Sequence, residues 1–166
     1  PIADVVGGIN DRLDFGLLRQ CADLPGLGAL LLVGPLPGHP SGELEKLLNH
    51  PKCVAAGGQP HETIHQWFQC LDVGLIPYVD TVFNRHCSPM RLFDHLASGM
   101  PLVATDACMQ VNAFSPNVAA CATAAAFLDA VEARLGPFAD EAPAPESLGI
   151  TWAERAAAML EAMESR

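Results

Sequence analysis

Basic residues are scarce in this chain of 166 residues: nine Lys and Arg stand against nineteen Asp and Glu, a formal net charge of −10. That balance argues against a nucleic-acid-binding surface. Long apolar runs are missing as well. Half the residues are hydrophobic, yet no run approaches the roughly eighteen residues needed to span a bilayer. No secretory signal pattern opens the sequence. The six cysteines (Cys21, Cys53, Cys70, Cys87, Cys108, Cys121) include no CxxC pair. Most lie in or beside apolar segments, as the reduced core thiols of a cytoplasmic protein do. Internal repeats and extended low-complexity tracts are also lacking.

What is present is one domain's worth of alternating structure. Apolar strand-like runs are expected at Ile2–Val6, Ala29–Val33, 52–56, Val73–Ile76, Leu102–Thr105 and Val118–Cys121. Helical patterns separate them at 13–24, Gly42–Leu48, 61–70, 89–98 and 123–135. Such alternation predicts an α/β fold, a Rossmann-like doubly wound parallel sheet of about six strands with helices on both faces. A Pro-rich connection over 136–145 leads to a last helix near 151–164. Trp152, Ala156, Met159, Leu160 and Met163 share one face of it, so it is expected to dock on something. The sequence starts almost directly in a strand, which predicts that it is a piece of a longer protein.

The most informative stretch is 72–105, DVGLIPYVDTVFNRHCSPMRLFDHLASGMPLVAT. It reads as strand, polar loop, helix, strand. Ser88 and Pro89 predict a helix start, a capping hydroxyl followed by proline at the first helical position. Gly99 stops that helix. A helix N-terminus facing the carboxyl end of a parallel strand is an anion site. In strand order 3-2-1-4-5-6 the crevice opens between the first and fourth strands. The loops there hold GGINDR (residues 7–12) and residues 78–88. Arg12, Arg85 and Arg91, three of the nine basic residues, lie in or next to them, which favours an anionic ligand. Gly7-Gly8 lets the backbone approach a diphosphate, although the full GxGxxG pattern is missing and NAD-type binding is not supported. Arg91 and Asp94, three apart on one helix face, form either a local ion pair or a ligand-binding pair. The switch-point position favours the latter.

Two motifs compete for attention. HETIH (residues 61–65) matches the HExxH pattern of zinc peptidases. However, Pro60 puts His61 in the first turn of a short helix, the helix dipole explains Glu62 as well, and no third ligand is nominated beyond His86 and His95. His86-Cys87 lacks an orienting third group for nucleophilic catalysis. A loop His86 near phosphates could still donate a hydrogen bond.

The stretch SPMRLFDHLASGMPLVAT resembles the "SPxKxFEYxAxGxPVVAT" segment of GT-B glycosyltransferases of the family 4-like branch. VVGGINDRLDFGLL, ALLLVGP, GGQPHETIHQWFQCLDVGLIPY and TWAERAAAMLE resemble further segments of that family in the same order. The resemblance implies one half of a GT-B fold: the C-terminal, donor-binding domain of an enzyme that moves a sugar from a UDP- or GDP-sugar to an acceptor. An N-terminal acceptor domain would precede Pro1, and this segment alone would be inactive. The resemblance places Arg91 on the leaving diphosphate and Asp94 on the ribose hydroxyls. It puts Ser88, Pro89 and Met90 at the phosphate-binding helix start, and Gly7, Gly8 and Arg12 in the glycine loop. Gly58 falls in the base-binding loop. His86 lies where the family often carries another carboxylate facing the sugar, and the glycine loop has no partner lysine. No obligatory metal or other cofactor is implied. Cytoplasmic location is implied, peripheral attachment at the inner face of the membrane included. The competing reading is a non-catalytic nucleotide-binding or interaction module of the same fold.

Overall fold

The computed structural model describes residues 1–114, 117–135 and 151–164. Six parallel strands, β1 (Ile2–Val6), β2 (Ala29–Val33), β3 (Cys53–Gly57), β4 (Val73–Ile76), β5 (Leu102–Thr105) and β6 (Val118–Cys121), form one sheet in the order β3-β2-β1-β4-β5-β6. The predicted doubly wound topology is therefore the observed one, and its switch point lies between β1 and β4. The strands are short and apolar, and those at the centre are buried on both faces, as a parallel sheet sandwiched by helices requires. Ala3, Val5, Leu30 and Leu32 belong to one core, while Val6 and Val33 belong to a second, smaller one with Leu71 and Met100. β3, at an edge, runs one residue later than the 52–56 expected, and its Val54 is exposed.

The helices are α1 (Phe15–Asp23), α2 (Gly42–Leu48), α3 (Ile64–Phe68), α4 (Val82–Arg85), α5 (Met90–Ser98), α6 (Met109–Asn112), α7 (Ala124–Glu132) and α8 (Trp152–Glu164). α1 packs on α2 and α7, and α3 packs on α5. Local chemistry sets several boundaries. Asp14 Oδ1 accepts from Leu17 N at 2.8 Å, starting α1. Thr81 and Thr123 cap α4 and α7 in the same way. Gly99, at φ 73°, ends α5 in the left-handed conformation that favours glycine.

Two expectations need correction. Ser88 does not cap α5: Pro89 itself is the extended N-cap residue, Met90 is the first helical position, and no side chain caps that end. The helix begins one residue late because Pro89 takes ψ 120°, outside the helical well. Residues 61–70 are not one helix but a 3₁₀ turn, His61–Thr63, followed by the five-residue α3. The α8 face bearing Met159, Leu160 and Met163 is exposed, with no docking partner among the described residues. The Pro-rich connection expected at 136–145 lies outside the described residues.

Candidate functional site

At the carboxyl ends of β1 and β4 lies a cleft of about 320 Å³. The loop after β1 supplies Gly7, Gly8 and Arg12; β4 leads to Tyr78; α5 and the residue pair before it supply Ser88, Pro89, Met90, Arg91 and Asp94. Eight of the ten residues singled out from the sequence thus meet at one place. Gly58 and His86 do not line it: Gly58 follows β3, and His86 is an exposed residue closing α4.

The glycine loop is held by backbone bonds at positions with little room for a side chain. Gly7 takes φ 109°, and its N–H donates to Val33 O at 2.8 Å. A Cβ at Gly34 would stand 2.0 Å from Gly7 O. The chain therefore turns back tightly enough for Arg91 to lie across it. Arg91, 9% exposed, donates from Nη2 to Gly8 O at 2.8 Å, while its Nη1 is buried with no partner in the protein. Burial pulls this guanidinium below its ordinary pKa range; Tyr78 offsets that in part, and nearby Arg12 adds to it. It remains a cation near neutrality.

Arg12 is built differently. Its guanidinium carbon lies 4.7 Å from the ring centres of both Tyr78 and Phe83. Nε donates to Asn84 Oδ1 at 2.8 Å, and Nη2 lies 3.0 Å from Cys87 Sγ. The Asn84 amide is fixed in turn by donating to the carbonyls of Arg12 and Val79. Arg91 faces the same Tyr78 ring at 5.6 Å. Burial pushes the Tyr78 phenol up, and the two guanidinium groups offset only part of this. Arg85, the third basic residue of the expected cluster, is committed instead to an exposed bidentate pair with Asp80 at 2.6 Å.

Asp94 is half-buried beside Arg91 on the cleft side of α5. Burial pushes its carboxyl up, and His95 and His61 offset part of the shift. Asp94 also borders an adjoining hollow of about 360 Å³ between α3 and α5, walled by Ile64, Phe68 and Ala97. That hollow is larger but has no lysine or arginine in its walls, whereas the cleft at the switch point has two guanidinium groups. The cleft is the better candidate for an anion.

HETIH lacks the geometry of a metal site. The two histidines of HExxH need one continuous α-helix to share a face, and here His61 sits in the 3₁₀ turn and His65 in α3. Among the described residues no group of three or more His, Cys, Asp or Glu side chains could hold a metal ion. Sequence reasoning overlooked Tyr78 and Asn84. The signal for both was their position, in the very loop expected to border the crevice.

No family model matches the chain. Over 101 residues it is 29% identical to the "Putative teichuronic acid biosynthesis glycosyltransferase TuaH" of Bacillus subtilis (strain 168), an alignment that covers 61% of this chain and 25% of that protein. Sucrose-phosphate synthase from Thermosynechococcus elongatus superposes with a TM-score of 0.63 at 22% identity, over 80% of this chain and 35% of that one. α,α-Trehalose 6-phosphate synthase from Burkholderia multivorans superposes with a TM-score of 0.56 at 12% identity, over 94% and 37%. The chain thus spans about a quarter of the curated relative and little more than a third of the solved structures. No described helix is long and apolar enough to cross a membrane. In sequence this chain resembles a glycosyltransferase, and its six-stranded, all-parallel Rossmann-like fold is shared by part of each of these two synthases.

Proposed function

We propose that the chain is the donor-binding domain of a glycosyltransferase, and that its cleft takes the diphosphate of a UDP- or GDP-sugar. One observation carries the reading: two guanidinium groups, Arg12 and Arg91, share the Tyr78 ring over a glycine loop, and Arg91 Nη1 has no protein partner. Like charges held this close in a net-acidic chain are stabilised by an anion between them. The nine-residue α5 points its N-terminus at the same cleft and adds the partial charge of its free amides.

Glycosyl transfer leaves negative charge on the departing diphosphate, and preorganised donors aimed at that charge lower the barrier. Arg91 and the amides at the start of α5 would do this here, with Arg12 in support and no obligatory metal. Ser88, Pro89 and Met90 would shape the phosphate end of the site. Asp94 would accept from the ribose hydroxyls, Gly58 would lie towards the base, and His86 towards the sugar. Val82, Phe83, Met90 and Met109 are exposed, and such apolar side chains would suit contact with an acceptor-binding domain of the same polypeptide. The isolated chain would then bind donor without turning it over.

Calorimetry with UDP, GDP and their sugars tests the reading. Saturable one-to-one binding that disappears in Arg91→Met supports it, and absence of binding by any of them favours the interaction-module alternative.

A further inference from the structure

Behind Arg91 the core holds two charged side chains that the donor-site reading leaves unused. Asp4 stands in the middle of β1, and His95 lies one turn beyond Arg91 on α5; both are fully buried. His95 Nε2 is 2.8 Å from Asp4 Oδ2, and Nδ1 bonds the carbonyl oxygen of Arg91. A carbonyl and a carboxylate only accept, so both ring nitrogens donate and the ring is an imidazolium. Burial alone would push His95 down. The charge and hydrogen bond of Asp4, with the Arg91 carbonyl, outweigh it and hold the ring above its ordinary value.

The fold makes room for this ring deliberately. A Cβ on Gly74 of β4 would stand 2.0 Å from His95 Cδ2, and Phe68 of α3 meets the ring edge-on at 5.1 Å. The ionisable groups facing His95 are Asp4 from β1 and Arg91 and Asp94 from α5. Gly74 and Phe68 bring no charge. A buried ion pair is a poor stabilising device, because an apolar pair of similar volume is often as good or better. What an apolar pair cannot do is occupy a carboxylate. Asp4 Oδ1 and Arg91 Nη1 are both buried without a partner, and without the imidazolium Asp4 would compete for Arg91.

We infer that Asp4 and His95 are a positioning pair for Arg91: the ring ties the first turn of α5 to β1 and keeps the Asp4 charge from drawing the guanidinium out of the diphosphate cleft. The inference rests on the donor-site reading and extends it to two residues that touch no ligand. Loss of the His95 proton frees Asp4 and weakens anion binding. By linkage, a bound diphosphate raises the affinity of His95 for its proton by the same factor.

The test is calorimetric titration of the chain with UDP-glucose and GDP-mannose from about pH 6.5 to 9.5, with His95 followed by ring ¹⁵N NMR. These ligands carry no phosphate proton that titrates near neutrality. The expected result is an affinity loss that reaches about tenfold across the His95 titration, with the His95 midpoint about one pH unit higher when ligand is bound. Asp4→Asn should lower the His95 midpoint and abolish the affinity step, because no carboxylate is left to draw on Arg91. The double variant Asp4→Leu/His95→Phe should fold and bind with no pH step. A pH-independent affinity across the His95 titration of the wild type, or a step that persists in Asp4→Asn, overturns the inference. Failure of both sugar nucleotides to bind at any pH would instead defeat the donor-site reading. The pair is then decided by the Arg91 carbonyl ¹³C and Nε ¹⁵N signals, which must titrate with the His95 ring if it positions Arg91 and stay silent if it does not.

Discussion

Arg12, from the loop after β1, and Arg91, from the first turn of α5, face one tyrosine ring, yet they are held in different ways. Arg91 is buried, anchored on the Gly8 carbonyl and backed by the His95–Asp4 pair. Arg12 rests between two aromatic rings and leans on Asn84, and one of those rings, Phe83, is 65% exposed. The buried cation has lost its water and has an unpartnered N–H, so an anion reaching it gains a strong, poorly screened interaction. The half-solvated cation has its donors largely committed and gains less. Burial and leftover bonding capacity, more than charge count, rank the basic residues of a site.

The largest effect should come from the loop under Arg91. Gly34→Ala pushes a methyl group into Gly7 O and should destabilise the fold by about 3 kcal/mol or more, read by chemical denaturation. It would disturb the loop that carries Arg12 and the Gly8 anchor of Arg91 alike, so the ranking of the two arginines rests on the next two variants. Next comes Arg91→Met, which should lower nucleotide-sugar affinity on the order of 100-fold while changing stability by only about 1 kcal/mol. Arg12→Ala should cost roughly tenfold in affinity, with a weaker dependence of binding on salt than in the wild type. Equal losses from the two arginine variants would erase the ranking.

The smallest effect is on stability against pH. His95 is raised in the folded state, so its contribution is complete below its unfolded value of about 6.5. It fades as pH climbs through the higher folded value, and its full size is about 1.4 kcal/mol for every pH unit that separates the two. Denaturation midpoints of the wild type should therefore fall across that window relative to Asp4→Leu/His95→Phe. Parallel curves would mean that the ring is not held charged.

Much of this was legible in the sequence because a parallel strand needs little more than a short apolar run bounded by glycine or proline. β1, β2, β4, β5 and β6 fall on the runs expected. The cleft was legible for the same reason: topology fixes which loops meet, so Gly7, Arg12 and Arg91 could be grouped without side-chain detail. α4 and α6 were not foreseen, because four residues are too few to display a period. Ser88 misled because its hydroxyl sits before a proline whose own extended backbone ends the loop. Arg85 counted as site charge although Asp80, five residues away, holds it. The Asp4–His95 pair was invisible because its members are 91 positions apart, and a lone aspartate in an apolar strand shows no partner.

The central claim is that a buried arginine at the switch point receives a diphosphate. Calorimetry of the wild-type chain and Arg91→Met with UDP-glucose and GDP-mannose addresses it most directly. The account predicts that at least one of the two binds the wild type one-to-one and binds the variant about 100-fold more weakly, with the variant still folded. Equal affinity of the two proteins for that ligand would contradict it.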